Sequence, residues 1–183
     1  MKTLSYAYVL SLAVGLSIAL ADVTETEHAL SALANSADIE VKKGLPNPFT
    51  HEKAWLQERQ EPLERLYGFE FKRLVGTCSG EAASKIVGAI GEAFREVDRP
   101  VKRCGSFHPD YVVRWRDDKV EYALLVCFTC NEAMLYADKA RTAYFDIPGG
   151  RMKLIREILD GLEFKPNEEK ANQSLATVFT KQG

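Results

Sequence analysis

The segment 111–147 most restricts the folds open to this chain, because it contains four strand-like runs joined by short polar links. The second run, VEYALLVCF, is almost continuously apolar after Glu121, as expected for a central strand that is covered on both faces. Links this short can join only antiparallel neighbours. We therefore predict an antiparallel β-meander. The four runs are YVVRW, VEYALLVCF, AMLYA and RTAYFDI.

Two helices are predicted, one before and one after this meander in the sequence. Apolar residues recur at helical spacing after Ser79, which is suited to cap the helix, and Pro100 ends it. A second apolar stripe runs from Ile155 to Leu162. Each helix must bury this stripe against a sheet, so we expect both on the same side. The prediction is an α+β fold, an antiparallel β-meander of about four to five strands with two helices packed on one face.

The pattern along the chain predicts four parts. Residues 1–21 form a signal peptide, residues 22–66 a polar N-terminal segment with a short helix, residues 67–164 the α+β domain, and residues 165–183 a flexible tail. Without the first part, 162 of the 183 residues remain. That length is sufficient for one domain with a substantial core.

The first residues have the charge, length and cleavage site of a secretory signal peptide. Lys2 precedes an uncharged, mostly apolar run, and Ala19-Leu20-Ala21 fits the small-x-small rule for signal peptidase. The alternative is an uncleaved anchor, because the run approaches the roughly 20 apolar residues that span a bilayer. Three serines within the run and the well-formed cleavage site favour cleavage. We expect an exported protein, periplasmic or extracellular, without stable membrane insertion after cleavage.

The charges give no sign of a polyanionic partner. After loss of Lys2 the chain carries 23 basic and 26 acidic residues, a net charge of −3, and the two signs are interleaved throughout. There is no basic block suited to nucleic acid or to anionic lipid. We therefore expect no nucleic-acid partner, and a monomer.

Four cysteines are the main candidates for chemistry: Cys78, Cys104, Cys127 and Cys130. In an exported chain the compartment is expected to be oxidising, which favours disulfides over metal ligands. Four cysteines allow three complete pairings, and the sequence alone does not choose among them.

The strand pairing predicts that three of these cysteines lie together. If the first meander turn spans residues 116–119, Cys127 lies opposite His108 and Cys130 lies beside Cys104. The predicted cluster is therefore at one end of the sheet.

Three interpretations of this cluster compete. The first is a structural disulfide from Cys104 to Cys130 or Cys127, which would stabilise the fold by about 3 kcal/mol for a loop of about 25 residues. The second is a structural zinc site formed by Cys104, His108, Cys127 and Cys130. The third is a redox-active pair of Cys127 and Cys130. This third interpretation has less support, because oxidoreductases place their reactive cysteine at a helix N-terminus, and here the motif ends a strand.

Cys78 stands apart, between a further predicted strand, YGFEFKRLV, and the first helix. It either completes a second disulfide or is a small buried core residue. Cys127, His108 and Asp110 are the residue types that a cysteine hydrolase requires, but the position of Cys127 in a core strand favours a structural cysteine. We assign no catalytic residues and no cofactor other than the alternative zinc, and we expect a binding or structural envelope protein.

The most specific pattern is the combination of Phe107-His108-Pro109, Arg114 and Cys127-Phe128-Thr129-Cys130. In these residues the chain resembles a family of uncharacterised bacterial proteins, many of which carry export signals. The resemblance covers roughly residues 67–160, with its specific part in residues 104–136. It implies an exported domain with a cysteine cluster and brings no activity with it. Cys78 is not part of the pattern.

Overall fold

The computed structural model describes residues 25–37, 39–95, 107–117 and 119–166. The predicted signal peptide and Cys104 lie outside these ranges, as does the chain beyond residue 166. Among the described residues, no helix is both long and apolar enough to cross a membrane.

The described chain forms four helices and nine strands, which we number in chain order. The helices are α1 (25–35), α2 (Glu52–Glu58), α3 (Gly80–Arg95) and α4 (Gly149–Asp160). The strands are β1 (Glu40–Lys43), β2 (Leu63–Leu66), β3 (Phe69–Lys72), β4 (Leu74–Thr77), β5 (Tyr111–Arg116), β6 (Glu121–Cys127), β7 (Glu132–Ala137), β8 (Ala140–Asp146) and β9 (Phe164–Pro166).

The α+β fold and its antiparallel meander are confirmed. Strands β5 to β8 pair in succession, each antiparallel to the next. The sheet is larger than predicted, with seven strands in the order β8-β7-β6-β5-β1-β4-β9, while β2 and β3 form a separate hairpin. All seven strands of the main sheet pair antiparallel.

The additional strands include residues from outside the predicted domain 67–164. Strand β1, from the predicted N-terminal segment, lies between β4 and β5 in the sheet. At the other end, β9 pairs with β4 and includes Lys165, so the sheet extends two residues into the predicted tail. Both strands pair with partners distant in sequence, which a local pattern does not reveal.

One face of the sheet is covered by helices. Apolar residues of α1, α3 and α4 form one buried cluster with the sheet, and α3 packs against α4, as the prediction of both helices on the same side requires. Helix α3 begins as predicted, since the backbone N–H of Ala82 donates to Ser79 Oγ at 3.2 Å. The cluster includes Leu33, Ile86, Ile90, Leu124, Val126, Ile155 and Leu159.

The opposite face is partly covered by the β2–β3 hairpin. Phe71 of this hairpin is fully buried against Val112, Leu125 and Met134 of the sheet. Strand β6 is therefore covered on both faces, in agreement with its nearly continuous apolar sequence.

The register of the first meander pair differs from the prediction by two residues. Tyr111 pairs with Val126, which places the end of β6 opposite Asp110 rather than His108. The cause is the turn: the carboxylate of Asp117 accepts the backbone N–H groups of Lys119 and Val120 at 2.9 and 2.8 Å. These bonds hold Val120 in the turn instead of in the strand.

Candidate functional site

The end of β6 is fixed by contacts on both sides. The backbone N–H of Asp110 donates to Val126 O at 2.8 Å, and the carboxylate of Asp110 accepts the N–H of Phe128 at 2.6 Å. On the other side, the N–H of Ile147 donates to Asn131 O at 2.8 Å. The turn 128–131, which contains the second half of the Cys-x-x-Cys motif, is thus held in place by its neighbours.

Cys127 is a buried, free thiol. Its side chain has 0% exposure, and its sulfur is not part of a disulfide. Burial raises the pKa of this thiol, although the backbone N–H groups of His108, Cys130 and Thr129 act in the opposite direction. The sulfur is therefore protonated at neutral pH and shielded from solvent, whereas a reactive cysteine requires an accessible thiolate.

The other cysteines are distributed as follows. Cys78 is a second buried, free thiol beyond the end of β4, and burial raises its pKa as well. It joins the helix-side core, one of the two fates predicted for it. Cys130 is also buried, but it is not among the free thiols. Cys104 has no described position, so the predicted neighbourhood of Cys104 and Cys130 stays a prediction.

The zinc interpretation involves His108. Its Nδ1 atom is buried and has no hydrogen-bond partner among the residues that the structure describes. Within those same residues, no group of three or more His, Cys, Asp and Glu side chains is arranged to hold a metal ion. Since Cys104 belongs to the proposed ligand set and is not described, the four-residue zinc site stays a prediction.

Beside the turn lies an open depression of about 300 Å³, which we call the charged cleft. It is formed by the loop after β1, the start of β5, the turn 128–131 and the end of α4. Gly44 is required here, because a Cβ atom at this position would collide with the carbonyl oxygen of Pro109. The charged and polar groups that line the cleft are Lys43, Asn47, His51, Glu58, Asp110, Tyr111, Thr129, Arg156 and Asp160.

Several contacts order the side chains of the charged cleft. The hydroxyl of Tyr111 donates to Asp160 Oδ1 at 2.7 Å, and burial together with this bond raises the pKa of Tyr111. The guanidinium of Arg156 lies over the ring of Phe128, 4.5 Å from its centroid. Burial raises the pKa of Asp110, against the opposing effects of its bond from Phe128 and the charge of Arg156. The cleft therefore combines charges of both signs around an aromatic ring.

A second polar region, the arginine network, lies on the same sheet face as the hairpin, in the part of that face that the hairpin does not cover. Arg114 donates to Glu40 at 2.9 Å and to Glu121 at 3.0 Å, and Arg116 donates to the second oxygen of Glu121 at 3.0 Å. Tyr67 of the hairpin donates to Glu121 at 3.2 Å. The groove above these residues measures about 660 Å³, but its charges neutralise one another.

Comparison with known proteins gives no family for this chain. No family model, curated protein or solved structure matches it. The resemblance to exported bacterial proteins therefore stays a prediction.

The sequence pattern predicted a site at the end of the sheet but did not indicate the cleft beside it. Cys127 and His108 were predicted at that end, and both lie there. The pattern did not identify Arg156 and Asp160, although their four-residue spacing places them on one face of α4. What it lacked was the pairing of β1 with β5, which brings Lys43 opposite Tyr111.

Proposed function

We propose that this protein is an exported binding domain whose sheet end is held by a disulfide between Cys104 and Cys130. It acts outside the cytoplasm, as a periplasmic or extracellular protein, and not as a thiol-disulfide oxidoreductase. The observation that carries the proposal is the state of Cys127, a free and fully buried thiol whose pKa is raised by burial.

The cysteine inventory supports the proposed disulfide. The chain has four cysteines, and two of them, Cys78 and Cys127, are free thiols. Cys130 is not one of the free thiols, and Cys104 is the remaining possible partner within the chain. An oxidising destination, predicted from the signal sequence, favours this bond.

The charged cleft supports a binding role. Its lining includes Phe128 and Thr129, which directly precede Cys130 in the chain. A disulfide at Cys130 would therefore restrain this wall of the cleft. A preformed concave site with a few polar groups is the usual form of a small-ligand site. The open arginine network is less suited, because its guanidinium groups already have carboxylate partners.

Export is tested by N-terminal sequencing of the protein recovered from each cell fraction. The proposal predicts a mature chain in the exported fraction that begins at Asp22. An Ala19→Arg variant, which breaks the small-x-small rule, should accumulate with its N-terminus uncleaved. Full-length wild-type chain confined to the cytoplasmic fraction would contradict the proposal.

The absence of redox catalysis is tested separately, by the reduction of insulin in the presence of dithiothreitol. Because Cys127 is inaccessible, we expect the wild-type protein and a Cys127→Ala variant to give the same rate as buffer alone. A wild-type rate well above buffer that disappears in the variant would establish the oxidoreductase alternative.

A further inference from the structure

Two cationic side chains of the charged cleft form no salt bridge among the described residues, although the charge of Arg156 acts on Asp110. Neither Lys43 nor Arg156 takes part in any ion pair within the described part of the chain. Arg156 instead lies over the ring of Phe128. A guanidinium group has five N–H donors, and this stacking leaves them available to an acceptor.

Of the three acidic groups of the cleft, Glu58 pairs with Lys72 at 2.8 Å, and the other two are only partly engaged. Asp160 accepts the hydroxyl of Tyr111 at Oδ1, and Asp110 accepts the backbone N–H of Phe128 at Oδ2. An ionised carboxylate accepts at both of its oxygens. Among the described residues, the second oxygen of each carboxylate accepts no hydrogen bond and could accept one from a ligand.

The lining of the cleft also includes two aromatic rings. The rings of Tyr111 and Phe128 pack at 5.6 Å between centroids. Both residues line the cleft, and an aromatic surface offers a contact to an apolar portion of a ligand.

We propose that the charged cleft binds a zwitterionic amino acid or short peptide. The ligand carboxylate lies against Arg156 and Lys43, its ammonium group lies against Asp110 and Asp160, and its side chain packs on the aromatic surface. This inference rests on the proposed binding function and names its ligand class. A ligand with a single charge meets repulsion from one of the two sets, whereas a zwitterion satisfies both.

The volume of the cleft agrees with this class of ligand. Small-molecule sites begin at about 300 Å³, and the cleft measures about 300 Å³. A free amino acid or a dipeptide fits such a volume, whereas a long polymer would have to extend beyond it.

The test compares three probes of similar size by isothermal titration of the full mature, oxidised protein. Phenylalanine carries both charges, phenethylamine only the ammonium, and 3-phenylpropanoate only the carboxylate. We expect phenylalanine, or the dipeptide alanyl-phenylalanine, to bind at least about tenfold more tightly than either singly charged probe, a difference of about 1.4 kcal/mol.

Variants locate the binding. Arg156→Gln and Asp160→Asn should each weaken zwitterion binding by about tenfold or more, as expected for the loss of one charge-assisted contact. Lys153→Gln is the matched control, because Lys153 lies on the same helix with 77% exposure and does not line the cleft, and it should bind as wild type. Circular dichroism melting of each variant verifies that it is folded.

Each outcome decides the inference. Equal or tighter binding of a singly charged probe, with the same dependence on Arg156 or Asp160, overturns the zwitterion assignment and leaves the binding function intact. Absence of binding of any probe at millimolar concentration also overturns the assignment. The proposed function fails on different results, namely cytoplasmic retention or insulin reduction that depends on Cys127.

Discussion

At the residue scale, burial decides what the cysteine motif can do. A Cys-x-x-Cys pattern is compatible with a disulfide, a metal site or redox exchange, and the sequence leaves all three open. The structure places Cys127 at the end of a strand that is covered on both faces, with no exposed surface. A thiol in that environment has a raised pKa and no access for a substrate disulfide, so its chemistry is that of a core residue.

Tyr67 gives a pH-dependent test at the same scale. Burial, with a contribution from Glu121 and an opposing one from Arg114, raises the pKa of Tyr67 to about 12. In the unfolded chain a tyrosine pKa is about 10. The stabilising contribution is therefore complete below about pH 10 and is lost as the pH rises toward about 12.

We expect Tyr67→Phe to show a smaller loss of stability between about pH 10 and 12 than wild type, because phenylalanine has no proton to lose. Urea unfolding at a series of alkaline pH values measures this difference. Parallel curves of unfolding free energy against pH for the two proteins would show that the pKa of Tyr67 is not raised in the folded state.

At the element scale, the β2–β3 hairpin and the arginine network complete the outer face of the sheet. The meander and its flanking helices could be predicted because alternation, apolar runs and short links are local signals. The register could not, because it depends on the side chain of Asp117 capping the turn. The insertion of β1 beside β5 and the docking of Phe71 depend on contacts between segments far apart in the chain.

Phe71 tests the docking of the hairpin. Phe71→Ala removes a fully buried ring and should lower the free energy of unfolding by about 3–5 kcal/mol. Phe49→Ala is the control, since Phe49 is 82% exposed and its loss should change stability by no more than about 0.5 kcal/mol. Chemical denaturation measures both. Similar effects for the two substitutions would contradict the packing of the hairpin on the sheet.

The arginine network permits an equally direct comparison of neighbouring residues. Arg114 is 21% exposed and joins Glu40 to Glu121, so Arg114→Gln removes two charge-assisted hydrogen bonds and should cost about 2 kcal/mol, while Lys42 and Arg116 remain paired with these carboxylates. Arg116 is 71% exposed, and Arg116→Gln should cost no more than about 1 kcal/mol. Denaturation midpoints that rank the two variants in the reverse order would refute a structural role for Arg114.

At the scale of the whole molecule, strands from outside the meander complete the sheet. Strand β1 lies inside the sheet and β9 lies at one edge, so stability depends on the predicted N-terminal segment and on the first two residues of the predicted tail. A disulfide at the end of β6 would add a restraint where the meander turns back toward the edge strand β8. The charged cleft lies at that end, which connects the proposed disulfide to the proposed binding site.

Cys130→Ser tests the contribution of this restraint. If Cys130 is bonded to Cys104, the variant should lose about 3 kcal/mol of unfolding free energy. Adding a reductant should destabilise the wild-type protein by a similar amount and leave the melting curve of the variant unchanged. A variant that melts as wild type, or that responds to the reductant as wild type does, would count against the bond.

The central claim is most directly tested by mapping the cysteines of mature protein from the exported fraction, alkylated before and after reduction and analysed by mass spectrometry. The account predicts two thiols free before reduction, Cys78 and Cys127, and one cross-linked peptide pair joining Cys104 to Cys130. A bond between Cys127 and Cys130, or four reduced cysteines with stoichiometric zinc, would contradict it.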